Sequence, residues 1–121
     1  MTVGGHGHHF ERVAEEIRNE VSLMLAGELK DPRLSAPLNV TEVRVTPDMG
    51  TVRVYVEIAG NAEERASTLD GLKAAARYIR HELVERLQLR RAPDVLFQAD
   101  ESQEYGRHID DLLRQARDPK D

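Results

Sequence analysis

Cations gather where this chain has helical spacing. Lys73, Arg77 and Arg80 stand at i, i+4 and i+7, so one helix face carries all three. Arg86, Arg90 and Arg91 extend the series. From Arg77 to Arg91, five Arg are opposed by Glu82 and Glu85, a local charge of +3 in a chain of net charge −5. A guanidinium donates hydrogen bonds in pairs and matches phosphate oxygens, so the chemistry of this run is polyanion binding. The bland alternative is a solvated helix face held by i,i+4 pairs such as Glu82 with Arg86.

Other groups are weaker candidates. Arg44 and Arg53 fall opposite each other if the two flanking strands form a hairpin. A like-charge cross-strand pair is destabilising unless an anion, or a neighbour such as Glu42 or Glu57, relieves it. Arg33, in Asp31-Pro32-Arg33-Leu34, sits on a loop where a side chain can reach a ligand, although the segment reads first as a helix stop. His6, His8 and His9 could hold a transition metal loosely, but a Gly-rich arm supplies no groups to orient them, so no metal site is expected. His81 with Glu85, or His108 with Asp111, could be drawn as acid–base pairs of a small hydrolase. Neither has a nucleophile or oxyanion donor nearby in sequence, and no catalytic residue is assigned.

The totals narrow the classes. With 121 residues the chain suffices for one domain able to bury its own core. Cys is absent, which removes disulfides, thiolate catalysis and Cys-based zinc sites and fits a reducing cytoplasm. Aromatics make up 4% of the residues, too few for a broad base-stacking platform. The acidic balance argues against a protein that coats nucleic acid indiscriminately and leaves binding to a local patch. No apolar run approaches membrane-spanning length, and no basic stretch followed by an apolar core marks a signal peptide, so a membrane partner is not expected.

Periodicity supplies the elements that position these residues. Residues 1–9 read as a disordered Gly/His arm. Phe10, Val13, Ala14, Ile17, Val21, Met24 and Leu25 form one helical stripe, which Pro32 stops near Lys30. Thr41, Val43 and Val45 alternate with polar residues, as do Val52, Val54, Val56 and Ile58. The Pro47-Asp48-Met49-Gly50 turn pairs Val45 with Val52 and Val43 with Val54 on one buried face. Helical period returns from Ala62 to about Leu87. A straight helix there would reach roughly 39 Å, against a radius of gyration of about 14 Å for such a domain. This predicts a bend near Ala75-Ala76-Arg77. Val95-Leu96-Phe97 reads as a third strand, buried and central. Asp100 or Ser102 caps a last helix with the stripe Tyr105, Ile109, Leu112, Leu113 and Ala116. A charged tail occupies residues 117–121.

Four segments in this order resemble the bacterial ribosome-binding factor A family. They are Glu28-Leu29-Lys30-Asp31-Pro32-Arg33-Leu34; Val45-Thr46-Pro47-Asp48 with Val52-Arg53-Val54-Tyr55-Val56; Ala75-Ala76-Arg77-Tyr78-Ile79-Arg80 with Leu87-Gln88-Leu89-Arg90; and Asp100-Glu101-Ser102 with Tyr105-Gly106-Arg107-His108-Ile109. Each is weak alone; together they are specific. The resemblance implies an α+β, KH type II-like domain over residues 10–116, of order α-β-β-α-α-β-α. Helices would cover one face of a three-stranded sheet, with a kinked helix pair in place of the Gly-x-x-Gly loop. Arg77 stands where the family's Ala-x-Gly places its Gly.

The implied function is a cytoplasmic, monomeric, non-enzymatic assembly factor without cofactors. It would bind the immature 30S small ribosomal subunit and support maturation of the 5′ end of 16S rRNA. Expected RNA contacts are Lys73, Arg77, Arg80, Arg86, Arg90 and Arg91, with Arg33, Arg44 and Arg53 as secondary contacts. The alternative is a generic KH-like RNA- or protein-interaction domain with no ribosomal role.

Overall fold

A computed structural model describes the backbone of residues 2–102 and 112–113, and side chains within that set from Glu11 onward. Helix α1 spans Thr2–Leu23 and buries Ile17 and Val21 from the expected stripe. It begins within the stretch expected to be a disordered Gly/His arm, so Phe10 is not an element boundary. Once packed turns have nucleated a helix, each added residue gains one backbone hydrogen bond. Past Leu23 the chain widens into one π-helical turn, Met24–Glu28, closed by Leu29 N–H donating to the Met24 carbonyl at 3.3 Å. A 3₁₀ turn, Pro32–Leu34, follows. The Asp31 carboxylate caps it by accepting from Arg33 N–H, and Pro32 occupies a first position that needs no donor.

Strands β1 (Leu38–Val45) and β2 (Thr51–Ile58) form the antiparallel hairpin in the expected register, Val45 on Val52, Val43 on Val54 and Arg44 on Arg53. A bulge between Val40 and Glu42 changes the outer end of β1. It turns Val40 into the core in place of Thr41, whose hydroxyl donates to the Tyr55 carbonyl and to Asp100. In the turn, Asp48 accepts from Thr46 Oγ1 at 2.7 Å and from Gly50 N–H at 2.9 Å, and these bonds hold its carboxyl below the usual range.

Helix α2 runs Ala62–Leu87 as one uninterrupted element of 26 residues, so the expected helix pair is a single helix. The Ala75-Ala76-Arg77 junction contains strong helix formers and neither Pro nor Gly. The length argument for a bend fails because the 3₁₀ turn covers the first half of α2. There Gly71 comes so close that a Cβ would stand 3.0 Å from Arg33 Cβ and 3.1 Å from Leu34 Cδ2. Asn61 and Glu64 close a reciprocal capping box at the start of α2, and Gln88, in the left-handed region at φ 54°, ends it.

Strand β3 (Asp94–Ala99) joins β2 in parallel, and the sheet order is β1-β2-β3. The central strand is therefore β2, and β3, expected at the centre, lies at an edge. The hairpin occupies one side of β2, and the α2 crossover delivers a parallel strand to the vacant side. Val95 and Phe97 enter the core, while Leu96 faces outward at 46% exposure. Asp100 accepts from Ser102 N–H at 2.9 Å, and the first turns of the helix it was expected to cap lie outside the described residues. Of the stripe beyond it, Leu112 and Leu113 are exposed. Tyr105, Ile109, Ala116 and the charged tail lie outside the described residues.

The core joins α1, α2 and the inner sheet face through Ile17, Val21, Leu72, Ile79, Leu83 and the β2 valines, among others. Replacing the fully buried Leu83 by Ala is expected to lower unfolding free energy by about 2–5 kcal/mol, and Asn61→Ala by about 1 kcal/mol through the lost cap. Urea unfolding followed by circular dichroism checks both values.

Candidate nucleic-acid interface

Burial of Leu72, Ile79 and Leu83 fixes the roll of α2 and turns Lys73, Arg77 and Arg80 to solvent. Lys73 and Arg77 make no hydrogen bond or ion pair with the described residues. Arg80 is partly engaged. Its Nη2 donates to the Ala92 carbonyl at 3.2 Å and lies 4.0 Å from Asp94, so it ties α2 to the start of β3. Arg90 and Arg91 are exposed in the connection that follows. Arg91 reaches the hairpin turn, with Nη2 3.4 Å from where a Cβ on Gly50 would stand, and its charge helps hold Asp48 ionised.

Arg86 does something else. Glu28, Glu20 (3.3 Å) and Glu82 (3.1 Å) surround its guanidinium, joining α1, the π-turn and α2. The hydrogen bond to Glu28 is the largest cause of its raised pKa, and the same bond lowers that of Glu28. Three carboxylates around one cation leave it little attraction for a phosphate. The helical pair with Glu82 is visible in sequence; Glu20 and Glu28 lie 66 and 58 positions away and are not.

The secondary cations also differ from one another. Arg33 is bound to Asp31 through Nε and Nη2. Arg44 Nε donates to Glu42 at 2.6 Å, and its guanidinium lies over the Tyr55 ring, 5.5 Å from the centroid. Arg53 is exposed and has no partner among the described residues.

Tyr78, 44% exposed beside Arg77, escaped the charge-based reading. Its position off the Leu72/Ile79/Leu83 stripe was the available signal. The face of α2 thus combines cations with an aromatic ring, the pairing that suits unpaired nucleic acid. Among the described residues no three His, Cys, Asp or Glu side chains group as a metal site would need. Nor is any described helix long and apolar enough to cross a membrane. His81 and Glu85 lie on the exposed side of α2, and His108 and Asp111 lie outside the described residues.

The ribosome-binding factor A family profile matches residues 9–113. The chain belongs to the ribosome-binding factor A family. It is 43% identical over 104 residues to ribosome-binding factor A of Caldanaerobacter subterraneus subsp. tengcongensis, covering 86% of this chain and 85% of that one. The crystal structure of the Thermus thermophilus member superposes with a TM-score of 0.65 at 28% identity, over 74% of this chain and 94% of that one. A homology model of a Thermus thermophilus member, fitted into a cryo-EM map of its 30S complex, gives 0.50 at 28% identity over 80% and 92%.

The Arg86 cluster yields a test of its own. Glu28 titrates below its unfolded range, so its contribution to stability is present above that range and lost as pH falls through the lowered, folded one. Arg86→Gln is expected to destabilise the protein at neutral pH and to flatten the acid limb of the stability curve. Thermal melts across the carboxylate range measure both effects.

Proposed function

We propose that this protein is an assembly factor that binds the immature 30S small ribosomal subunit and supports maturation of the 5′ end of 16S rRNA. Family membership supports the ribosomal setting, and the Thermus member's coordinates were fitted within a 30S complex. The observation that carries the contact surface is the outward face of α2, where Lys73 and Arg77 have no counter-ion among the described residues and stand beside Tyr78. Arg80, Arg90 and Arg91 continue that surface toward the hairpin turn, and Arg86 drops out of it. Binding proceeds by phosphate neutralisation and shape; no group of this protein performs chemistry on the RNA.

The fold reads as KH type II-like. An α-β-β-α-β order with one antiparallel and one parallel strand pair supports this, with α2 unbroken where the Gly-x-x-Gly loop or its kinked substitute would sit. The protein acts as a cytoplasmic monomer.

Lys73→Glu with Arg77→Glu is expected to abolish cosedimentation with free small subunits on a sucrose gradient while leaving the melting curve intact. Cells carrying only that variant should accumulate small-subunit rRNA with an unprocessed 5′ end, measured by primer extension. Normal cosedimentation of the double variant would remove α2 from the interface.

A further inference from the structure

The outer face of the sheet, on the opposite side of the molecule from the exposed face of α2, carries a second set of groups suited to RNA. Arg44 and Arg53 stand directly opposite each other on β1 and β2. Two cations at a cross-strand pair repel each other unless charge is supplied between them. Glu42 supplies one carboxylate, and it takes Arg44 through Nε alone. That bond orients the guanidinium over Tyr55, within the distance at which the ring face attracts a cation. Arg53 has no carboxylate partner among the described residues, so the pair keeps a surplus positive charge in a protein of net charge −5. Beside it lies an open cleft of about 450 Å³ lined by Arg44, Val45, Thr46, Pro47, Arg53 and Tyr55.

We propose that this cleft holds one unpaired nucleotide of single-stranded RNA, its phosphate between Arg44 and Arg53 and its base stacked on the Arg44–Tyr55 pair. Guanidinium planes and aromatic rings are the surfaces on which proteins stack splayed-out bases. Charge decides for RNA over an apolar partner, because a hydrophobic segment would bury Arg53 with no counter-ion. The site rests on the reading of the protein as an RNA binder, yet it shares no residue with the α2 face. It makes the molecule two-sided, able to hold a flexible strand on the sheet while α2 faces the subunit.

The test uses the full chain and a fluorescently labelled oligouridylate, titrated at several salt concentrations. Arg53→Gln is expected to weaken binding about five-fold and to reduce the salt slope by about 0.7, one single-strand phosphate contact. Tyr55→Thr, which suits a strand, should weaken binding about ten-fold by removing the ring that supports the Arg44 guanidinium on which the base stacks. A 4-thiouridine probe should cross-link to the peptide bearing Tyr55. Melting curves verify folding, and should Tyr55→Thr unfold the protein, the exposed Arg53 variant and the cross-link carry the test. Unchanged affinity and slope in Arg53→Gln, with cross-links elsewhere, overturn the proposal. So does an Arg53-dependent grip on a poly-glutamate peptide without one on RNA, which would make the cleft a protein site. The Lys73→Glu/Arg77→Glu protein, assayed by cosedimentation, reports separately on the α2 interface, so either reading can fail alone.

Discussion

The roll of α2 against the sheet is the constraint from which the surface chemistry follows. Leu72, Ile79 and Leu83 are fully buried beside Val52, Val54 and Val56 of the central strand. Rotating the helix by one residue would lift this stripe out of the core, at roughly 1.5–3 kcal/mol for each large side chain exposed. That penalty locks Lys73, Arg77 and Tyr78 outward. Gly71 fixes the same helix from its first half, where any larger residue would press on the turn at Arg33 and Leu34. The display of cations is therefore a by-product of core packing, held as firmly as the core itself.

The basic residues differ by what surrounds them. Arg86 and Arg33 spend their donors on carboxylates of this chain, one joining three elements and the other stapling a turn. Arg80 is intermediate, bonding a backbone carbonyl of the connection that leads to β3. Lys73, Arg77 and Arg53 are left without such partners among the described residues. In a protein of net charge −5 such free cations are what distinguishes one face from another. In a chain with excess negative charge, the acidic remainder would disfavour a polyanion approaching elsewhere.

The hairpin joins the two sides. Its turn is knit by Asp48 to Thr46 and Gly50, with Arg91 alongside. Asp94 N–H donates to the Gly50 carbonyl at 2.9 Å, so the connection from α2 into β3 is anchored on that turn. Arg90 and Arg91 thereby sit beside the hairpin turn, where they line a cavity together with Val13, Glu16 and Ile17 of α1.

Much of this was legible in the linear pattern. Alternating valines set the hairpin register, and the pairing of Arg44 with Arg53 followed, because a side-chain period of two permits one buried face only. The helical stripe placed Lys73, Arg77 and Arg80 on one surface for the same kind of reason. Three features depended on contacts between distant segments. The order of the strands turned on where the crossover delivered β3. The continuity of α2 turned on the Pro32–Leu34 turn covering its first half. The fate of Arg86 turned on Glu20 and Glu28 arriving from another helix and its π-turn. Local periodicity is a property of neighbours along the chain, so the sequence by itself determined which faces are apolar and which are charged. Which charges remain free depends on what packs beside them, and only the tertiary structure could decide that.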